Sequence, residues 1–194
     1  WQPSDSLPRR AFPQEPPLAV PHDTMVVGRE TPMVALGWRL PAKSDPMYGL
    51  MVVANQVLCN GKCGLFDQNL NNAQQVIQSE TFVDGMAEQS AFWAIGCPKE
   101  GQSLEEVRRL MMEQVRRLTS GQWDESLLRA ILNNMKRRRL EDMQSNELRA
   151  SWFVDAFVAG KPWAEEVGEM QRLDTLTKKT VVDCARRMLT DGYA

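Results

Sequence analysis

Apolar residues follow a period of two in the first half of the chain and a helical period in the second half. Segments rich in β-branched and aromatic residues predict four strands, and Asp84-Gly85 between the last two is a hairpin signal. The predicted strands cover residues 24–28, 32–40, 73–82 and 85–97. We therefore expect a sheet with antiparallel pairing in the first half of the chain.

Helical spacing predicts one helix between the strands and five helices beyond Pro98. Capping residues support the starts, since Ser44-Asp45-Pro46 precedes the first helix and Ser103 with Glu106 forms a capping box. The predicted helices cover residues 47–58, 103–121, 124–143, 146–160, a short stretch from 162, and 177–189, with a glycine turn over 60–66 leading into a short helix through Leu70.

Strands before helices predict an α+β fold in which an antiparallel β-sheet packs against a layer of helices. Four aromatic side chains fall at core-facing positions of these elements. They are Trp93, Trp152, Phe153 and Phe157. We expect them in the core and not on a base-stacking surface.

Prolines concentrate at the start of the chain, where six of the first 21 residues are proline. Proline fixes φ and lacks a backbone donor, so this density favours an extended linker. We expect residues 1–22 to be a proline-rich interdomain linker and residues 23–194 to be one α+β domain.

Composition and charge exclude several classes of function. The 194 residues are 43% hydrophobic and 25% charged, as in an ordinary globular domain. The net charge of −2 provides no general attraction to phosphate or anionic lipid, so we expect no nucleic-acid partner. No apolar run is long enough to span a bilayer, so we expect no membrane insertion, and no segment indicates a compartment.

The residues that carry chemistry are sparse. His22 is the single histidine and stands in the proline-rich leader, where a solvated loop residue is expected. An inverted zinc motif needs two histidines and a glutamate on one helix, so it cannot form here. The four cysteines, Cys59, Cys63, Cys97 and Cys184, lack paired metal-ligand spacing and are expected to be thiols. We assign no catalytic, cofactor-binding or metal-binding residue.

Two charge patterns have structural explanations. The pairs Glu105-Glu106 and Glu165-Glu166 lie at predicted helix starts, where carboxylates favour the helix dipole. The basic run 136–139 occupies consecutive helical positions and so winds around the helix, as a solvated surface does. Contact of this run with an acidic ligand, in an unrelated binding module, stays open as an alternative.

Three segments, 32–41, 57–66 and 98–101 with the helix that follows, occur in an order of elements that resembles the M16 (pitrilysin/insulinase-type) zinc metallopeptidases. Residues 32–41 are similar to a family strand ending in Gly-aromatic-x-x-Pro, and 57–66 resemble its helix end, glycine turn and Leu-Phe pair. Residues 98–101 and the helix that follows resemble the connection after the family's hairpin. Each motif alone is weak, but together they cover nearly the whole chain.

Departures from the family pattern indicate a non-catalytic domain. The helix that carries the zinc motif in catalytic domains has neither histidine nor glutamate here. Partner domains often carry an arginine and, seven residues later, a tyrosine that hold the substrate carbonyl. Asn71 and Gln78 stand at those positions in this chain.

The resemblance implies a LuxS/MPP-like metallohydrolase fold and a place as the second domain of a long multi-domain member. It implies that a catalytic M16 domain of the same polypeptide, or a partner subunit, supplies zinc and proteolysis. This chain would complete a chamber wall for a peptide substrate, with a sheet edge offered to an extended peptide. A stand-alone inactive subunit or scaffold partner of an M16 protease is the alternative.

Overall fold

The structure, a computed structural model, describes residues 18–194, so most of the predicted linker 1–22 lies outside the described residues. Three strands and seven α-helices occur in this part of the chain. The first half holds β1 (Val34–Pro41), α1 (Pro46–Leu58), a π-helical turn (Asp67–Asn72), β2 (Gln78–Asp84) and β3 (Gln89–Cys97). The second half holds α2 (Leu104–Ser120), α3 (Glu125–Asp142), α4 (Asn146–Val158), α5 (Trp163–Val167), α6 (Glu169–Asp174) and α7 (Lys178–Met188). The predicted α+β fold is confirmed.

The three strands form one antiparallel sheet in the order β1-β3-β2. Trp38 of β1 lies opposite Phe92 of β3, which lies opposite Val83 of β2. One face of the sheet is buried beneath α1, α2 and α7. The core on this face is built from alternate residues, among them Leu36, Trp38, Leu40, Phe92 and Ala94.

Trp38 connects the sheet to the end of the chain. Its side chain is 1% exposed, and its indole Nε1 donates to the Thr190 carbonyl at 2.8 Å. Its ring contacts Phe92 and Tyr193 at centroid distances of 5.7 and 5.3 Å. The hydrogen bond satisfies the one polar atom of a large buried ring and so offsets the cost of removing that N–H from water.

The predicted strand 24–28 is absent, which corrects the sequence prediction. Met25, Val26 and Val27 are 81%, 86% and 91% exposed. A strand needs a neighbouring edge for its hydrogen bonds, and the outer edge of β1 pairs with Ala194 at Gly37 instead. Met25, Val26 and Val27 are therefore not part of the sheet and remain exposed to solvent in the described structure.

The predicted hairpin is present, but its strands are shorter than expected. Residues 73–77 form a turn in which Gln74 has a φ of 51°, so β2 begins only at Gln78. The Met86 amide donates to the Ser90 hydroxyl at 3.2 Å, and its carbonyl accepts from Lys43 at 2.9 Å. These bonds hold residues 85–88 as a loop, so the hairpin connection begins at the predicted Asp84-Gly85 signal and extends beyond it.

The helix starts match their predicted caps closely. Asp45 accepts from the Met47 amide at 2.7 Å, and Ser103 accepts from the Glu106 amide at 3.1 Å. Thr177 accepts from the Thr180 amide at 3.2 Å, and α4 begins at Asn146 as expected, with Ser145 as its cap. No helix among residues 18–194 combines the length and the apolar character that crossing a membrane requires.

The expected core positions of the α4 aromatics are wrong in part. Phe153 and Phe157 are 55% and 86% exposed, whereas Trp152 is half-buried. Of the residues in α4, only Ala156 is fully buried. Because α4 is apolar on two opposite faces, helical spacing alone could not identify which face turns inward.

Candidate functional site

The sheet face opposite α1, α2 and α7 is the first candidate surface. An antiparallel sheet with one solvated face usually places polar residues there. Here that face carries Phe82, which is 40% exposed, with the half-buried Ala91, Trp93 and Ile95. We call this surface, Phe82, Ala91, Trp93 and Ile95, the open face. Its apolar character suits contact with other protein chains.

A hollow lies at the β1 side of the open face. The Trp93 ring packs against Gly37, where a Cβ atom would stand 2.9 Å from the indole. Leu18, His22, Ala91 and Ala194 complete the walls. His22 is exposed there, as expected of a loop residue, and its backbone amide donates to the Tyr193 carbonyl at 2.9 Å.

Both edges of the sheet are partly covered by residues of this chain. On β2, the Asn71 side chain accepts from the Ser79 amide and donates to the Ser79 carbonyl, each at 2.8 Å. On β1, Gly37 exchanges two backbone hydrogen bonds with Ala194, at 2.7 and 3.0 Å. An extended peptide would have to displace these groups, so the open face is a better contact surface than either edge.

Asn71 has a role that sequence reasoning missed. It stands where the resemblance places a substrate-holding arginine, yet its amide mimics one residue of a neighbouring strand at Ser79. Its Oδ1 also accepts from the Ser79 hydroxyl at 2.9 Å. Gln78, the position corresponding to the tyrosine, is the exposed first residue of β2. The two positions therefore do not form a substrate-polarising pair.

The glycine turn is organised by the buried carboxylate of Asp67. Its Oδ2 accepts backbone N–H groups from Asn60, Lys62 and Gly64 at 2.9, 3.2 and 3.0 Å. Its Oδ1 accepts from the Cys59 thiol at 3.4 Å. Because the carboxylate already occupies these amides, the turn cannot also bind phosphate through them.

Two glycines make this turn possible. Gly61 has a φ of +78°, in the left-handed region that side chains disfavour. A Cβ at Gly64 would lie 2.4 Å from the Leu58 carbonyl oxygen. The turn is thus a close-packed structural element, and the Gly-x-x-Gly spacing serves backbone geometry.

The basic run 136–139 is largely neutralised within the chain. Lys136 pairs with Asp174, and Arg137 pairs with Glu141 at 2.7 Å. Arg139 pairs with Glu166 at 2.6 Å and lies 3.5 Å from the centre of the Trp152 ring. These pairs oppose the alternative in which the run binds an acidic ligand, since most of its charge is already matched.

Glu166 is the centre of a half-buried ion-pair cluster between α3 and α5. Besides Arg139, it accepts from Lys161 Nζ at 3.0 Å, and Lys161 also contacts Glu169 at 3.0 Å. Burial alone would raise the pKa of Glu166, but the hydrogen bonds from Lys161 and Arg139 outweigh it and lower the pKa. Glu166 therefore joins helices, beyond the dipole role expected of it.

Replacing Glu166 with glutamine should lower the free energy of unfolding near neutral pH by about 1–3 kcal/mol. Since its folded-state pKa lies below the ordinary 4.5, the stabilisation is present above 4.5 and is lost as the pH falls through the folded-state value. Urea unfolding of wild type and E166Q over a pH series measures this. The exposed neighbour variant E165Q is the control, and an E166Q deficit that does not shrink in acid would contradict the assignment.

The described residues do not fit a zinc site. No group of three or more His, Cys, Asp or Glu side chains that could hold a metal occurs within 18–194. The four cysteines are free thiols, and burial raises the pKa of Cys184 to about 11. The only imidazole of the chain is that of the exposed His22.

Comparisons with known proteins identify the family to which the chain is similar. Residues 1–135 match the family described as the Peptidase M16 inactive domain. No curated protein sequence matches the chain.

Solved structures with the same fold extend over most of the chain. A protease from Helicobacter pylori has a TM-score of 0.78 at 19% identity, covering 82% of this chain and 39% of that one. The inactive peptidase domain of a zinc-protease-like protein from Bordetella parapertussis has a TM-score of 0.74 at 15% identity, covering 89% of this chain and 94% of that one. A peptidase M16 inactive domain from Pseudomonas fluorescens has a TM-score of 0.72 at 15% identity, covering 83% of this chain and 38% of that one. This chain thus spans well under half the length of the first and third proteins, and at these identities the likeness concerns the fold.

Proposed function

This chain belongs to the Peptidase M16 inactive-domain family, and from that premise we propose that it forms a non-catalytic wall of a proteolytic chamber. A catalytic M16 domain, on the same polypeptide or on a partner subunit, would supply the zinc and the hydrolytic step. The protease that contains both this chain and the catalytic domain would then be a zinc metalloendopeptidase. Residues 1–22 would be the linker to a preceding domain, and 23–194 the wall itself.

The observation that carries this proposal is the apolar open face of the sheet. Helices cover the other face, so the open face is the side of the sheet on which a peptide can lie. Phe82 and Trp93 lie on neighbouring strands there, directly opposite each other. Aromatic rings contact many different side chains without a defined hydrogen-bond pattern, which suits a chamber that receives varied peptides.

Contact with peptide would be weak and broad in specificity. The hollow beside Trp93 on the open face is wide open to solvent. The surrounding charged groups are Glu80 and Asp84 on β2 and Arg39 on β1, so both signs are present. The wall would therefore orient an extended chain through apolar contact, and the zinc-bearing domain would select the bond that is cleaved.

Peptide binding to the open face tests the proposal. A fluorescein-labelled unstructured peptide is titrated with the chain, and binding is followed by fluorescence anisotropy. Phe82→Asp, which places a charge on the open face, should weaken binding at least about fivefold, corresponding to about 1 kcal/mol. Leu140→Asp, a change at a 57% exposed residue of α3, is the control. Equal affinity of the F82D variant and wild type would contradict the proposal.

A further inference from the structure

The outer side of α4 carries an apolar stripe. Its members are Ala150, Phe153, Val154, Phe157 and Val158. They follow the spacing i, i+3, i+4, i+7 and i+8, which is typical of a helix face that packs against another element. In the described structure the four large side chains are 55%, 60%, 86% and 65% exposed. Within residues 18–194, Phe153 stacks on Trp163 of α5 at 4.0 Å, and the remaining large side chains of the stripe stay exposed. The pattern therefore indicates a packing surface that this part of the chain covers only at Phe153.

Apart from Phe153, the stripe is not needed to hold α4 in place. The opposite side of the helix supplies the half-buried Trp152 and the buried Ala156. Arg139 of α3 covers the Trp152 ring, and Lys43 pairs with Asp155 at 3.7 Å. These contacts, with the stack of Phe153 on Trp163, attach α4 to α3, to α5 and to the segment before α1. Val154, Phe157 and Val158 are left available for a different role.

The stripe is large for a monomer. Aromatic side chains expose about 150–250 Å² each when free, so Phe153 and Phe157 together leave on the order of 300 Å² uncovered. With the two valines, the stripe falls within the range of about 300–600 Å² for the largest patch of a typical monomer, a patch that is often functional. Buried on both sides of a two-fold pair, it approaches the roughly 1,000 Å² at which specific interfaces begin, a size that suits a weak dimer.

We infer that α4 pairs antiparallel with α4 of a second copy of this chain. A two-fold axis between Phe153 and Val154 places the small Ala150 of each copy opposite the large Phe157 of the other. Small and large residues thus alternate across the interface, and no charged side chain lies within the stripe. Such an isologous contact closes as a dimer and does not propagate into a filament.

This pairing is independent of the proposed chamber role. The stripe belongs to the helical layer, while the open face lies on the far side of the sheet from α1, α2 and α7. A dimer formed through α4 therefore leaves the open face uncovered. Failure of the peptide-binding test and failure of the dimer test can be told apart.

Sedimentation equilibrium tests the dimer. Wild type should show twice the 22.0 kDa of one chain at high concentration and dissociate on dilution. Phe157→Glu, at a residue 86% exposed, should show the mass of one chain with an unchanged circular dichroism spectrum. Val27→Glu, which changes a 91% exposed residue outside the stripe, should remain dimeric. A wild type with the mass of one chain at every concentration, or a dimeric F157E variant, would overturn the inference.

Disulfide cross-linking tests the geometry. In a Cys63→Ser background, which removes the exposed native thiol, Val154→Cys lies next to the proposed axis. Mild oxidation should convert this variant to a covalent dimer much faster than a Val27→Cys variant. Equal rates for the two variants would rule out an axis at this position.

Discussion

Replacing Trp38 with alanine should lower the free energy of unfolding by about 3–5 kcal/mol, the largest effect expected of a single core substitution here. The side chain is 1% exposed and fills the space between β3 and the end of the chain. Its loss leaves a cavity against Phe92 and Tyr193 and removes the donor to the Thr190 carbonyl. Equilibrium unfolding in urea measures the change.

The matched control for this prediction is Trp163→Ala. Trp163 is 38% exposed on α5 and stacks on Phe153 at 4.0 Å. The substitution therefore removes the same kind of side chain from a partly exposed position. We expect a loss of about 1 kcal/mol. Equal losses for the two tryptophans would show that Trp38 is not the centre of the core.

Replacing Asp67 with alanine should lower the free energy of unfolding by about 2–4 kcal/mol. Three backbone amides lose their acceptor, and that of the buried Gly64 cannot turn to water. Asp67→Asn keeps one carbonyl oxygen but brings an NH₂ group toward these donors, so it should lie between alanine and wild type. The same unfolding measurement applies to all three proteins.

Asp191→Ala is the control for Asp67, because Asp191 is an exposed carboxylate near the end of the chain. We expect it to change stability by less than about 0.5 kcal/mol. If the Asp67 variants were as stable as the Asp191 variant, the carboxylate would not be what holds the glycine turn together.

Local signals explain why the helices were predictable. Asp45, Ser103 and Thr177 each accept a backbone amide at the start of a helix, and this interaction depends only on residues two or three positions away. Gly121, with a φ of 76°, ends α2 for an equally local reason. Segments whose boundaries are decided within one turn can be identified from the sequence.

Segments whose structure depends on distant partners were predicted less well. Residues 24–28 have strand composition, but at Gly37 the β1 edge they would need pairs with Ala194 instead. The α4 aromatics have core spacing, but only the Trp152 side meets the rest of the chain. Periodicity shows that a face is apolar and does not show what it packs against.

The polar contacts around the glycine turn were the least predictable part. Asp67 and Asn71 lie in one short segment, yet one binds the turn before it and the other binds β2 after it. The Gly64-x-x-Asp67 spacing is the one signal that could have indicated the first contact. The absence of paired histidines, in contrast, is visible in the sequence directly, and it decides the question of a zinc motif.

Zinc content and peptidase activity of the purified chain, measured on the same sample, test the central claim most directly. The account predicts no stoichiometric zinc and no cleavage of an unstructured peptide, because a hydrolytic zinc helix needs two imidazoles and this chain has His22 alone. One zinc ion per chain together with cleavage that a chelator abolishes would contradict it.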